Sequence, residues 1–144
     1  MATPSPRVEK DDKVKEVDRE RYRNDAVALG KALRAALSSE AEISELAVWK
    51  VYAGTEKLIA ILKFRLDYET PGVFTKLPDA GDPAKLLDEA RGQLARAADE
   101  IKRGRLVESI ETLRGARNDL RSYLTDKRKS ATKSKRSPHS KPSV

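Results

Sequence analysis

The stretch DPAKLLDEARGQLARAADEIKRGRLVESIETLRGARNDLRSYL, running from Asp82 to Leu124, decides the fold, because it is either one long helix or two helices folded back on each other. Asp82 followed by Pro83 is a helix start: the carboxylate can accept from the first free backbone N–H groups, and proline is tolerated in the first turn. Leu87, Ala90, Leu94, Ala97 and Ile101 then recur at threes and fours, large alternating with small, which implies close packing on a neighbour. At Lys102-Arg103-Gly104-Arg105 a glycine stands where a left-handed C-cap is wanted, among basic residues that suit a helix C-terminus. Beyond it Leu106, Ile110, Leu113, Leu120 and Leu124 share one face, with Ala116 and Tyr123 beside them. A single helix would carry Gly104 inside it at a cost of about 1 kcal/mol relative to alanine. The hairpin is the better reading, since short glycine-containing turns commonly join antiparallel helices.

In spacing the hairpin is similar to a single tetratricopeptide-type unit, with Ala90, Ala97, Gly104 and Ala116 as the small positions. No second copy follows and the tryptophan and tyrosine signature of that repeat is missing, so the resemblance implies a helical hairpin and no function.

Upstream, Tyr22, Ala26, Leu29, Leu33, Ala36 and Leu37 form one apolar stripe, which predicts a first helix over 12–37. Ser39 followed by Glu42 has the form of a capping box and predicts the start of a second helix near residue 40. That helix, 40–67, is apolar almost all round and is expected to sit centrally, with contacts on several sides. Pro71-Gly72, Pro78, Gly81 and Pro83 exclude a regular element over 68–82, leaving a long loop before helices at 83–103 and 105–126. The expected fold is all-α: an up-and-down four-helix bundle of two antiparallel hairpins over 11–126. Residues 1–10 read as a disordered N-terminus and 127–144 as a disordered basic tail.

Composition agrees. The 144 residues suffice for one core and not two; 38% are hydrophobic and 37% charged. The chain has no cysteine, which removes disulfides, thiolate nucleophiles and cysteine zinc sites and is compatible with a reducing compartment. No apolar run follows the N-terminus as in a secretory signal, and Leu58 to Leu66 is interrupted by Lys63 and Arg65 and falls far short of a bilayer span. A cytoplasmic protein with no membrane partner is expected. Met1 is the only methionine, Gln93 the only glutamine, and Asn24 and Asn118 the only asparagines. A thermophilic source accounts for this, as does drift in an Ala- and Arg-rich genome.

The charge is segregated. Of thirty Lys and Arg residues, seven lie beyond Asp126: Lys127, Arg128, Lys129, Lys133, Lys135, Arg136 and Lys141. The other twenty-three balance the twenty-three acids, all of which lie before residue 127, so the whole net charge of +7 sits in KRKSATKSKRSPHSKPSV. With only Ala131 and Val144 apolar, that segment cannot offset its ordering entropy by burial and is expected to be disordered when free. A cationic arm on a neutral body suits a polyanion. Arg114, Arg117 and Arg121 add a track along one side of helix four that leads toward Lys127 and Arg128. The competing reading is that these three cover the apolar seam and pair with acids of neighbouring helices.

Nothing points to catalysis. His139, the only histidine, has no rigid partner group near it in sequence, and no helix carries the Arg and His that HEPN-type ribonuclease folds require. Acidic pairs such as Asp88-Glu89 and Asp99-Glu100 point about 100° apart on a helix and do not converge on a metal. No phosphate loop or hydrolase motif is present. No enzyme activity, cofactor or metal is therefore expected. The expected function is nucleic-acid association, with DNA or RNA held by the basic tail without sequence specificity. The alternative is a protein-interaction module or small subunit of a larger assembly, with the tail only solubilising. It would use Val73, Phe74 and Leu77 of the loop, or self-association through the bundle.

Overall fold

A computed structural model describes residues 14–38, 42–69 and 82–139, with side chains as far as Arg128. Among the described residues there are four α-helices and no strand: α1 (Glu16–Ser38), α2 (Glu45–Leu66), α3 (Pro83–Lys102) and α4 (Leu106–His139). They form the expected four-helix bundle of two antiparallel hairpins, α1 with α2 and α3 with α4.

The α3–α4 turn is made at Gly104. Its φ of +79° lies in the left-handed region, the Gly104 N–H donates to the Ile101 carbonyl at 3.0 Å, and the Arg105 N–H donates to the Glu100 carbonyl at 2.8 Å. These two bonds are a Schellman motif, which closes the last turn of α3 and reverses the chain in three residues. Arg19 of α1 lies across the turn, so a Cβ on residue 104 would come within 2.6 Å of its guanidinium. At the other end of α3, the Asp82 carboxylate accepts from the Ala84 N–H at 3.1 Å and Pro83 opens the helix, as the sequence predicts.

Each helix borders two others. α1 lies beside α2 and α3, and α4 lies beside the same two. Contacts give the directions. Arg65 of α2 reaches Asp18 while Leu29 lies over Gly54, so α1 and α2 run antiparallel. Gly30 faces Leu94 while Arg19 faces Gly104, so α1 and α3 do too. Glu56 meets Arg117, and Tyr68 meets Glu111, so α2 and α4 also run antiparallel. α2 and α3 therefore lie across a diagonal and point the same way, so the four helices run up, down, down, up rather than in the alternating order expected, with Asp67 and Asp82 at opposite ends of the bundle. A 22-residue helix is about 33 Å long. The chain between these two residues can span that at about 3.3 Å per residue.

Leu87, Ala90, Leu94, Ala97 and Ile101 of α3 are all fully buried, together with Leu106, Ile110, Leu113, Ala116 and Leu120 of α4. Tyr22, Ala26 and Leu33 of α1 and Val48, Leu58, Leu62 and Leu66 of α2 complete the core. Small residues set the spacing. Gly30 brings α1 against the Leu94 Cβ, and Gly54 makes room for Leu29 where α1 crosses α2.

Three further features differ from the sequence expectation. α2 begins at Glu45, later than expected from Ser39 and Glu42. Its N-cap is Ser44, whose hydroxyl accepts from the Ala47 N–H at 3.2 Å, and Ile43 and Val48 occupy the positions of a hydrophobic staple. Second, α2 is not central. It borders only α1 and α4 and keeps an apolar face in solvent. Third, α4 continues past Asp126 to His139. The expected end at 126 rested on the last apolar residue of the stripe, Leu124. Prolonging a helix already nucleated requires only backbone hydrogen bonds, and no glycine or proline intervenes between Asp126 and Pro138. The expected loop lies, apart from its first two residues and Asp82, outside the described residues.

Gly104→Ala discriminates a left-handed turn from a helix interior. In a helix the substitution would stabilise by about 1 kcal/mol. At φ +79°, under Arg19, it is expected to destabilise by about 1–2 kcal/mol, read as a lower urea midpoint with an unchanged m-value.

Candidate nucleic-acid interface

The arginines of α4 divide according to what lies opposite them. Arg114 is half-buried and donates through Nη1 to Glu111 at 3.1 Å, a carboxylate that also accepts from the Tyr68 hydroxyl at 3.2 Å. Arg117, also half-buried, reaches across to α2 and donates to Glu56 at 3.2 Å, with Nε and Nη2 on the Asn118 side-chain oxygen. These two are seam residues: their stems cover the α2–α4 junction and acids answer their charge. Arg121, one turn on, is exposed, and among the described residues no carboxylate lies within 4 Å of its guanidinium. The three share one helix side, as the spacing predicts, but they do not form one free cationic track.

The extension of α4 prolongs the track that the sequence reading led toward Lys127 and Arg128. Arg114, Arg121, Arg128 and Lys135 are seven residues apart, so on a straight helix they fall on nearly one line, drifting by about 20° per step. The signal was present in the sequence, but it becomes a line only if the helix passes Asp126. Lys129, Lys133, Lys135 and Arg136 take positions on this part of α4, and Lys141 lies outside the described residues, as do Val73, Phe74 and Leu77.

Where the extension leaves the bundle, Tyr123 is buried and the Lys127 ammonium sits over its ring, 5.8 Å from the centroid, at cation–π distance. Burial, followed by the carboxylates of Glu45 and Glu42 at the start of α2, raises the Tyr123 pKa. The phenol therefore stays neutral, and Lys127 is held at the rim beside the acidic end of α2. Trp49 and Tyr52 of α2 stack edge to face, 5.6 Å between centroids. Trp49 is a large aromatic surface that a search by charge alone passes over.

A second polar group is buried in the α3–α4 seam. Asp119 is almost fully buried and accepts from Gln93 Nε2 at 3.1 Å, while Gln93 Oε1 is buried without a partner among the described residues. Gly115 lies under that oxygen, where a Cβ would stand 2.5 Å away. Burial, reinforced by the Glu89 carboxylate and opposed by the Gln93 amide, pushes the Asp119 pKa up to about 6. The neutral acid suits the place, because its O–H can supply the donor that the amide oxygen lacks. This group sits within the bundle and has no route to a reacting partner, so it tunes stability.

Among the described residues no group of three or more His, Asp or Glu side chains is placed to hold a metal ion, and no helix is long and apolar enough to cross a membrane. Comparison with protein-family models, with curated proteins and with solved structures gives no match.

The Asp119 carboxyl carries a pH dependence with a definite sign. Its pKa is raised on folding, so its stabilising contribution is complete below about pH 4 and is lost as pH rises through about 6. Asp119→Asn is expected to stabilise the protein at pH 7 by about 1–2 kcal/mol and to flatten the stability profile between pH 4 and 6, measured by urea unfolding at both ends.

Proposed function

We propose that this chain is a non-enzymatic, nucleic-acid-associated helical protein of the cytoplasm, in which residues 127–144 bind phosphates without sequence specificity. One observation carries the reading: the body up to Asp126 is electrically neutral, and the whole charge of +7 lies in the segment that α4 carries away from it. Affinity of this kind comes from counterion release. The bundle supplies a base that holds the start of the segment, through Lys127 on Tyr123, and Arg121 extends the cationic line back onto the body. Arg114 and Arg117 belong to the fold in this reading, because their acids neutralise them.

The alternative, a protein-interaction module whose tail only solubilises it, has an observation of its own in the exposed apolar face of α2. The two readings are compatible.

The test is binding of the full chain to mixed-sequence DNA and RNA across a salt series. With the seven tail charges and Arg121 on phosphates the slope of log K against log salt is expected to be about −7 on duplex DNA. A chain ending at Asp126 keeps every described buried residue, the last of which is Leu124, and is expected to lose most of that slope. Arg121→Ala should reduce it by about one, whereas Arg114→Ala and Arg117→Ala should lower stability and leave it unchanged. Absence of binding by the full chain at low salt defeats the proposal.

A further inference from the structure

The backbone of α4 is helical as far as His139, so the basic residues beyond Asp126 have angular positions as well as a count. At about 100° per residue, Arg128 and Lys135 fall about 40° and 60° to one side of Thr132, and Arg136 and Lys129 fall about 40° and 60° to the other. Lys133 lies farther round on that second side, at about 100°. Ser130, Ser134 and Ser137 take the positions at the back, opposite Thr132. The segment thus carries two rows of cations with a threonine between them, and an uncharged line of serines behind.

This cationic face is continuous with the solvent face of the bundle. Arg121 and Thr125, both exposed, lie within about 20° of the line through Thr132, so Arg121 extends the row of Arg128 and Lys135 onto the body. Lys127 falls elsewhere, about 140° from Thr132, and its ammonium sits over the buried Tyr123 ring. The serine line prolongs the side of α4 that carries Ala116 and Tyr123 into the core.

We propose that α4 beyond Asp126 docks as a helix in the major groove of duplex DNA, with Thr132 toward the groove floor and one row of cations on the phosphates of each strand. The inference rests on the nucleic-acid reading above and names the form of nucleic acid. A single strand offers one line of phosphates and is held largely by stacking on aromatic rings, and residues 127–144 contain no phenylalanine, tyrosine or tryptophan. Two rows on one helix answer two strands. A helix about 10–12 Å across is too wide for a minor groove of about 6 Å and fits a major groove of about 12 Å. In duplex RNA the major groove is deep and too narrow for side chains to read.

Side-chain size and charge agree with that placement. The uncharged residues from 130 to 134 are serine, alanine and threonine, so no bulky group on this stretch keeps the helix from the groove floor. Lys129 and Lys133, four residues apart, repel each other on a free helix, and phosphates relieve that repulsion. Contacts from both rows go to phosphates, which set the position of the helix and carry no base sequence.

The test compares two full-length variants of identical net charge. Thr132→Glu puts a carboxylate between the two rows, and Ser134→Glu puts one at the back of the helix. Both lie beyond Leu124, the last buried residue described, so the unfolding midpoint is expected to stay unchanged. Binding is measured by fluorescence anisotropy at about 0.15 M salt, on a mixed-sequence DNA duplex, the RNA duplex of the same sequence and the DNA single strand. The full chain is expected to bind the DNA duplex about tenfold more tightly than the other two. Thr132→Glu is expected to weaken duplex DNA binding about tenfold and Ser134→Glu about threefold or less. Equal losses, a larger loss for Ser134→Glu, or a DNA duplex bound no more tightly than the other two overturn the docked helix and leave nucleic-acid association standing on charge alone. Absence of binding by the full chain at low salt overturns both.

Discussion

The left-handed backbone at Gly104 is the constraint on which the bundle rests. A helix that continued through it would carry α3 and α4 as one rod, with Leu87, Leu94 and Ile101 on one half and Ile110, Leu113 and Leu120 on the other, too far apart to share a core. The Schellman bonds from Gly104 to Ile101 and from Arg105 to Glu100 fold these two faces onto each other. α1 then closes over the junction with Arg19 lying on the glycine itself. The second C-cap, at Asp67, uses the same pair of bonds with a non-glycine residue at φ 50°, a conformation that aspartate tolerates better than most side chains. α2 thereby ends at the end of the bundle opposite to the one where α3 begins.

Much of this was legible because it is local. Asp82-Pro83 and Gly104 announce themselves through backbone chemistry within four residues, and the buried faces of α3 and α4 follow from spacing. The start of α2 was misplaced for a reason equally local. Ser39 with Glu42 and Ser44 with the Ile43 and Val48 pair are both valid cap patterns, and the choice falls to the one whose flanking apolar residues reach the core. Propensity cannot see that preference, since it depends on where α1 and α4 lie.

The candidate site was less legible, because charge in a sequence has no direction. Arg114, Arg117 and Arg121 look equivalent as a string. What separates them is Glu111, three residues before Arg114 on the same helix, and Glu56, sixty-one residues before Arg117, an acid that becomes a partner only when α2 is laid antiparallel to α4. Arg121 stays exposed. Trp49 and Phe64 show the converse failure. Helical periodicity places them correctly on α2, but an apolar residue on an apolar helix is assigned to a core by default, and only the finished packing reveals that the core has no room for a third side of α2.

The charge segregation of the chain then has a physical cause. Within the bundle, Arg114 and Arg117 are half-buried, where their stems contribute packing and where an uncompensated guanidinium, partly withdrawn from water, would be costly. Arg65 with Asp18, Arg117 with Glu56 and Arg114 with Glu111 satisfy that condition pair by pair, and the body comes out neutral. Among the described residues the buried seam ends at Leu124, and the acids of the chain end at Asp126. Charge of one sign can accumulate there without cost to the core. A neutral body with its net charge gathered beyond Asp126 is therefore the arrangement in which like charges adjoin one another and an external polyanion relieves them most strongly. Lys127, anchored on the Tyr123 ring at the edge of the acidic end of α2, marks the boundary between the two regimes.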